Sequence, residues 1–144
     1  MKDKDVIETL NEFLKGKYMG IHAYEQYIEK VKDLHLKEVF QQIQINHKQH
    51  AIEVAKRIQD LGGIPVDDEG LIGSVTGTVV QWMIPDKPED LIDYAREKED
   101  HYAVHVGARV VEDQLDAESL GLIKRMIEED KKHVDQLQQL RQLL

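Results

Sequence analysis

GGIPVDDEGLIGSVTGTVVQWMIPDKP, running from Gly62 to Pro88, divides the chain in two. It holds all three prolines (Pro65, Pro85, Pro88) and five of the nine glycines (Gly62, Gly63, Gly70, Gly73, Gly77). On either side the sequence is dominated by Glu, Lys, Gln, Leu, Ile and Ala, residues with high helix propensity. The pattern predicts four long helices near 3–32, 34–61, 88–113 and 117–143. Each carries apolar residues at three- and four-residue spacing, the mark of one buried stripe. The stripes read Leu10, Leu14, Ile21, Tyr24, Ile28 and Val31; Phe40, Ile43, Val54, Ile58 and Leu61; Leu91, Tyr94, Val104, Ala108 and Val111; and Ile123, Met126, Ile127, Val134, Leu137 and Leu140. Asp33 and Asp116 stand where N-caps belong, Pro88 suits a first helical turn, and Gly62 and Gly63 suit a helix C-terminus.

Connection lengths then set the topology. The links near 33 and 115 are a few residues long, so helices 1 and 2 run antiparallel, as do helices 3 and 4. The link 62–87 is long enough to cross the whole bundle. A helix of about 25 residues measures roughly 37 Å, and an extended chain covers about 3.3 Å per residue. Helix 3 is therefore expected parallel to helix 2. Leu71, Ile72, Val75, Val79, Trp82 and Met83 keep helical spacing inside the crossover and predict a short extra helix, with Gly73 and Gly77 allowing it to pack closely. The reading is all-α: one domain, residues 1–144, two antiparallel helix pairs joined by a long crossover.

Composition narrows the function. The chain has 144 residues, 19 Lys and Arg against 28 Asp and Glu, and a formal net charge of −9. That balance opposes binding to phosphate backbones or anionic membranes. Cysteine is absent, which removes disulfides, thiolate metal sites and cysteine nucleophiles. Met1 to Asp5 leads into no apolar segment of a signal peptide, no run is long enough to span a membrane, and a cytoplasmic protein is the expectation. Hydrolase and transferase motifs are lacking. The seven histidines are the unusual feature.

Several of these histidines interrupt the apolar stripes. His47 lies between Ile43 and Val54, with His50 one turn on; Asp130 and His133 lie in the same way between Met126 and Leu137. Residues three apart share a helix face and can grip one ion. Helix 3 offers Glu97, His101 and His105. Reflecting Asp130 and His133 about the turn near 115 lands beside Glu97 and His101, while reflecting His47 and His50 about the turn near 33 lands near Lys17, with His22 and Glu25 further along. All four helices thus bring ionisable groups to about one level. Buried ionisable groups are costly unless paired or bound to metal. Two arrangements meet that demand: a metal site, or a metal-free polar layer with Lys17 paired to Glu97 or Asp130. His22 and His35 are expected to face solvent.

The His50-Ala51 step, the Leu61-Gly62-Gly63-Ile64-Pro65 helix end, and Asp130 with His133 on the last helix resemble the ferritin-like superfamily, including bacterioferritins and rubrerythrins. With Phe40-Gln41-Gln42 and the Gly-Ser and Trp elements of the crossover, the sequence is most similar to a bacterial ferritin-like family of unassigned function. The resemblance covers nearly the whole chain and implies a ferritin-like four-helix bundle. In such proteins helices 1 and 3 each contribute a Glu, and helices 2 and 4 each a Glu-x-x-His. Carried across, His50 and His133 match the two histidines and Glu97 the helix 3 Glu. Asp130 and His47 stand in place of the other two Glu residues. On helix 1 the ungapped match puts Lys17 at the Glu position; a shifted register would put Glu25 there. The expected metal ligands are therefore His47, His50, Glu97, Asp130 and His133, with His101 and Glu25 as extras. The expected cofactor is a metal ion (Fe, Mn or Zn), and such imidazole-rich donors suit a single ion better than a carboxylate-bridged pair. The expected assembly is a homo-oligomer, a dimer first of all, with no nucleic-acid or membrane partner.

Overall fold

The computed structural model describes residues 2–68, 83–112 and 115–144. Four helices make up the fold: α1 (Lys2–Lys30), α2 (Leu34–Asp60), α3 (Pro88–Glu112) and α4 (Ala117–Gln142), with no strand among the described residues. Their ends fall within two residues of those the sequence predicts. The short crossover helix expected over Leu71 to Trp82 lies outside the described residues, as do the side chains of Val104, His105, Ala108 and Val111. Met83 is exposed.

Local chemistry accounts for the helix ends. The Asp33 carboxylate accepts from the Leu36 amide, and the Asp116 carboxylate from the Ser119 amide. Each satisfies an amide with no partner inside its own helix, a cap worth about 1 kcal/mol. At the end of α2 the Gly62 amide donates to the Gln59 carbonyl and the Gly63 amide to the Ile58 carbonyl. Gly62 has φ +87°, the left-handed turn that closes a helix in this manner.

Cross-helix contacts give the directions. Arg57, near the end of α2, reaches Asp116 and Glu118 at the start of α4. Arg141, near the end of α4, reaches Asp93 near the start of α3. Tyr102 donates to the Phe13 carbonyl, while Tyr27 stacks edge-on against Tyr94, so α1 and α3 also run antiparallel. Neighbouring helices are thus antiparallel, and α3 runs parallel to α2. The chain must travel the bundle length between them. At the far end Lys30 of α1 holds the Ile84 carbonyl and the Asp86 carboxylate just before α3.

The apolar core falls into two parts. One is built around Tyr24, Tyr27, Phe40, Ile43, Leu91, Ile92 and Leu137. The other is built around Leu10, Phe13, Leu14, Val54, Ile58, Ile123 and Met126. Lys17, His47, His50, Glu99, Asp130 and His133, all buried, form the polar layer of the bundle interior.

Candidate metal centre

The layer draws on every helix. Lys17 of α1 donates from Nζ to Asp130 Oδ2 of α4 at 2.7 Å, and its Nζ lies 3.4 Å from His47 Nδ1 of α2. His47 Nε2 faces Glu99 of α3 at 2.8 Å from Oε1, and His133 Nδ1 reaches the same oxygen at 2.9 Å. His50 Nε2 lies 2.6 Å from Glu129 Oε2. Helical spacing does the positioning: His47 and His50 share one face of α2, and Asp130 and His133 one face of α4.

Asp130 Oδ1 is buried and has no hydrogen-bond partner. It stands 3.7 Å from His47 Nδ1, 3.8 Å from His50 Nδ1 and 3.6 Å from His133 Nδ1. His50 Nδ1 is likewise buried without a partner. Burial first, and the Lys17 charge next, lower the His50 pKa to about 3, so its ring is neutral. A neutral ring that donates from Nε2 to Glu129 keeps a lone pair on Nδ1. Two acceptors thus face each other with no proton between them. Burial opposes ionisation of Glu99, but the imidazoles of His47 and His133 outweigh it and hold the carboxyl well below the ordinary range. The layer therefore keeps an anionic acceptor at its centre.

His47, Glu99, Asp130 and His133 each present one ligand atom, and these four atoms lie within 4.8 Å of one another. Ligand atoms about 2.1 Å from one tetrahedral ion stand roughly 3.4 Å apart. The imidazole nitrogens stand 3.6–3.8 Å from Asp130 Oδ1, and the four-atom set as a whole would draw in further around an ion. Two imidazoles with two carboxylates suit one divalent transition ion. They do not suit a pair of ions: among the described residues Glu99 and Asp130 are the buried carboxylates of the layer, Glu129 stands at its edge against His50, and an ammonium stands against Asp130.

The structure brings together His47, Asp130 and His133, and sets His50 beside them. It does not bring Glu97, His101 or Glu25 into the layer: all three are exposed. Glu25 instead accepts from the Gln44 side chain at 2.8 Å. The expectation for α3 is corrected by two residues. Its buried face runs Ile92, Ala95, Glu99 and Ala103, while Tyr94 is only partly buried. Glu99, which the sequence reading missed, had a signal: it follows Ile92 by seven residues and Ala95 by four. The reading followed Leu91 and Tyr94, which put Glu97 inward. Lys17 pairs with Asp130, and His22 and His35 are exposed, as expected.

Fold and central layer together define a ferritin-like four-helix bundle. Residues 5–105 match the family described as a domain of unknown function (DUF2383), and the chain belongs to that family. It is also 32% identical over 136 residues to a protein named Bacterioferritin from Desulfovibrio desulfuricans, a match that covers 90% of this chain and 70% of that protein. Both relationships lie within the ferritin-like superfamily. No solved structure matches the chain. No helix among the described residues is long and apolar enough to cross a membrane.

Proposed function

We propose that this protein binds one divalent transition-metal ion, with His47, Glu99, Asp130 and His133 as ligands and His50 held beside them. The observation that carries the reading is Asp130 Oδ1, a buried carboxylate oxygen with no hydrogen-bond partner, ringed by three imidazole nitrogens at 3.6, 3.7 and 3.8 Å. Asp130 Oδ1 and His50 Nδ1 are both without a partner, and a cation beside them satisfies both; His47 Nδ1 and His133 Nδ1 would exchange their present contacts with Lys17 and Glu99 for the ion. Fe, Mn and Zn all accept this donor set. With Fe or Mn the bundle serves redox chemistry or metal handling; with Zn the site is structural or sequestering. The test is elemental analysis of tag-free protein after Fe, Mn or Zn supplementation, alongside His47→Ala with His133→Ala. About one ion per chain, lost in the double variant, is expected; equal metal in both proteins would sink the assignment.

One observation favours a second reading. The Lys17–Asp130 pair supplies a cation to the layer from within the chain, which suits a metal-free bundle that kept the scaffold and lost the chemistry. No metal taken up under any supplement would establish that reading.

Self-association is part of the proposal. Ile45 and Ile52 are 44% and 70% exposed and stand two turns apart on one face of α2, with the exposed Lys48 and Gln49 between them. Two copies meeting along that face would form a symmetric dimer.

A further inference from the structure

Between α1 and α3 a cavity of about 260 Å³ opens from the surface and ends on the polar layer, at Lys17, His47 and Glu99. We propose that this cavity binds a neutral one-ring phenol. The inference does not rest on the metal reading, because the cavity is built from α1 and α3 whether or not an ion is bound.

Size comes first. Sites for small molecules run from roughly 300 to 1,000 Å³, so this one suits a single ring. The walls come next. Tyr24, Tyr27, Tyr94 and Tyr102 line the cavity, with Tyr24 and Tyr27 edge-to-face at 5.0 Å and Tyr27 and Tyr94 at 6.0 Å. Aromatic walls in these orientations favour a planar aromatic guest.

Two glycines shape the space, one by seating Tyr102 and one by leaving room. A Cβ on Gly16 would fall 1.4 Å from the Tyr102 hydroxyl oxygen, so Tyr102 lies directly over that turn of α1 and closes one end. A Cβ on Gly20 would meet the His47 ring first, at 3.7 Å, an ordinary contact. Gly20 therefore leaves room for at least a Cβ on this side of α1. Glycine in a helix interior costs about 1 kcal/mol relative to alanine, and no packing contact here demands it.

The polar groups select the ligand. The Tyr24 hydroxyl is buried beside the Glu99 carboxylate but makes no hydrogen bond of ordinary geometry. A buried unpaired hydroxyl is unfavourable, and a guest hydroxyl would satisfy it. The charged groups at the inner end already answer one another: Lys17 with Asp130, Glu99 with His47 and His133. Lys98 at the rim lies over the Tyr94 ring at 5.3 Å. The charges at the inner end are paired within the protein, which favours a neutral guest there.

Calorimetric titration with phenol and with toluene, on chelator-treated and metal-supplemented protein, tests this. One phenol per chain is expected, bound in both preparations and more tightly than toluene. Gly20→Leu fills that room and should weaken phenol at least about tenfold, with helicity and thermal midpoint retained. Should that variant fail to fold, Gly20→Ala adds one methyl at an ordinary distance and should still weaken binding. Tyr24→Phe should weaken phenol by about threefold and leave toluene unchanged. Absence of phenol binding, equal binding by the Gly20 variants, or indifference to Tyr24→Phe each overturns the proposal. Metal uptake without phenol uptake removes this inference and leaves the metal reading standing.

Discussion

Lys17 Nζ and Asp130 Oδ2 lie 2.7 Å apart, with the two side chains 0% and 3% exposed. The pair joins α1 to α4 through the centre of the bundle and uses one carboxylate oxygen. The other, Oδ1, is turned toward three imidazoles. One aspartate thus serves an internal cation on one side and the proposed metal position on the other.

Removing the internal cation should expose that dependence. Lys17→Met leaves a buried carboxylate unpaired, which costs about 3–5 kcal/mol. The urea midpoint of chelator-treated Lys17→Met should fall accordingly, and zinc should restore part of the loss. Lys17→Glu exchanges the cation for the carboxylate missing on α1. It should raise metal content from about one ion per chain toward two; unchanged content would show that Lys17 does not limit the stoichiometry.

The register of α3 makes a second prediction. Glu99 is 6% exposed and contacts two of the proposed ligands, whereas Glu97 is exposed. Glu99→Gln should weaken metal binding by at least about tenfold. Glu97→Gln should leave metal affinity unchanged and stability within about 0.5 kcal/mol. Competition against a chromophoric chelator would measure both, and a reversed order would refute the placement of Glu99.

Asp116 gives a pH dependence away from the centre. Burial pushes its carboxyl upward, but the hydrogen bonds from Ser119 and then Arg57 outweigh it and hold the carboxyl below its ordinary value. A depressed carboxyl contributes stability that is present above its unfolded pKa of about 3.9 and is lost as pH falls through the lower folded value. Asp116→Asn keeps a capping oxygen and removes the charge. The variant should be less stable by about 0.5 kcal/mol at pH 6, and the difference should vanish in strong acid. A gap that stays constant in urea titrations from pH 6 down to pH 2 would contradict the linkage.

Gly62 tests the end of α2. A Cβ there would meet nothing within 4 Å, so only the φ of +87° opposes a side chain. Gly62→Ala should therefore cost about 1–2 kcal/mol, seen as a lower thermal midpoint with unchanged helicity.

The exposed Ile45 and Ile52 of α2 give a prediction about assembly. Ile45→Glu with Ile52→Glu should lower the sedimentation mass to that of a single chain while leaving the fold intact, since both residues are exposed. An unchanged mass would place any interface elsewhere.

Much of this architecture was legible in the sequence because its causes are local. Asp33, Asp116, Pro88 and Gly62 mark helix ends through bonds made within a few residues. The glycine- and proline-rich link has a length that admits a crossover. His47 with His50, and Asp130 with His133, are each set on one face by the helix repeat alone, so those pairs were readable before any packing was known.

What only the tertiary structure decided is which groups meet. The pattern of α3 is ambiguous because Leu91 and Ile92 are both fully buried; rotation against three neighbours puts Glu99 inward and Glu97 out. Lys17 had two partners open to it, and the parallel run of α1 and α4 delivers it to Asp130. The cavity beneath Tyr102 depends on how closely α3 approaches Gly16. Periodicity determines a face to within one turn, but contacts depend on ångström-scale rotation and shift between helices, and those are settled by packing against residues distant in sequence.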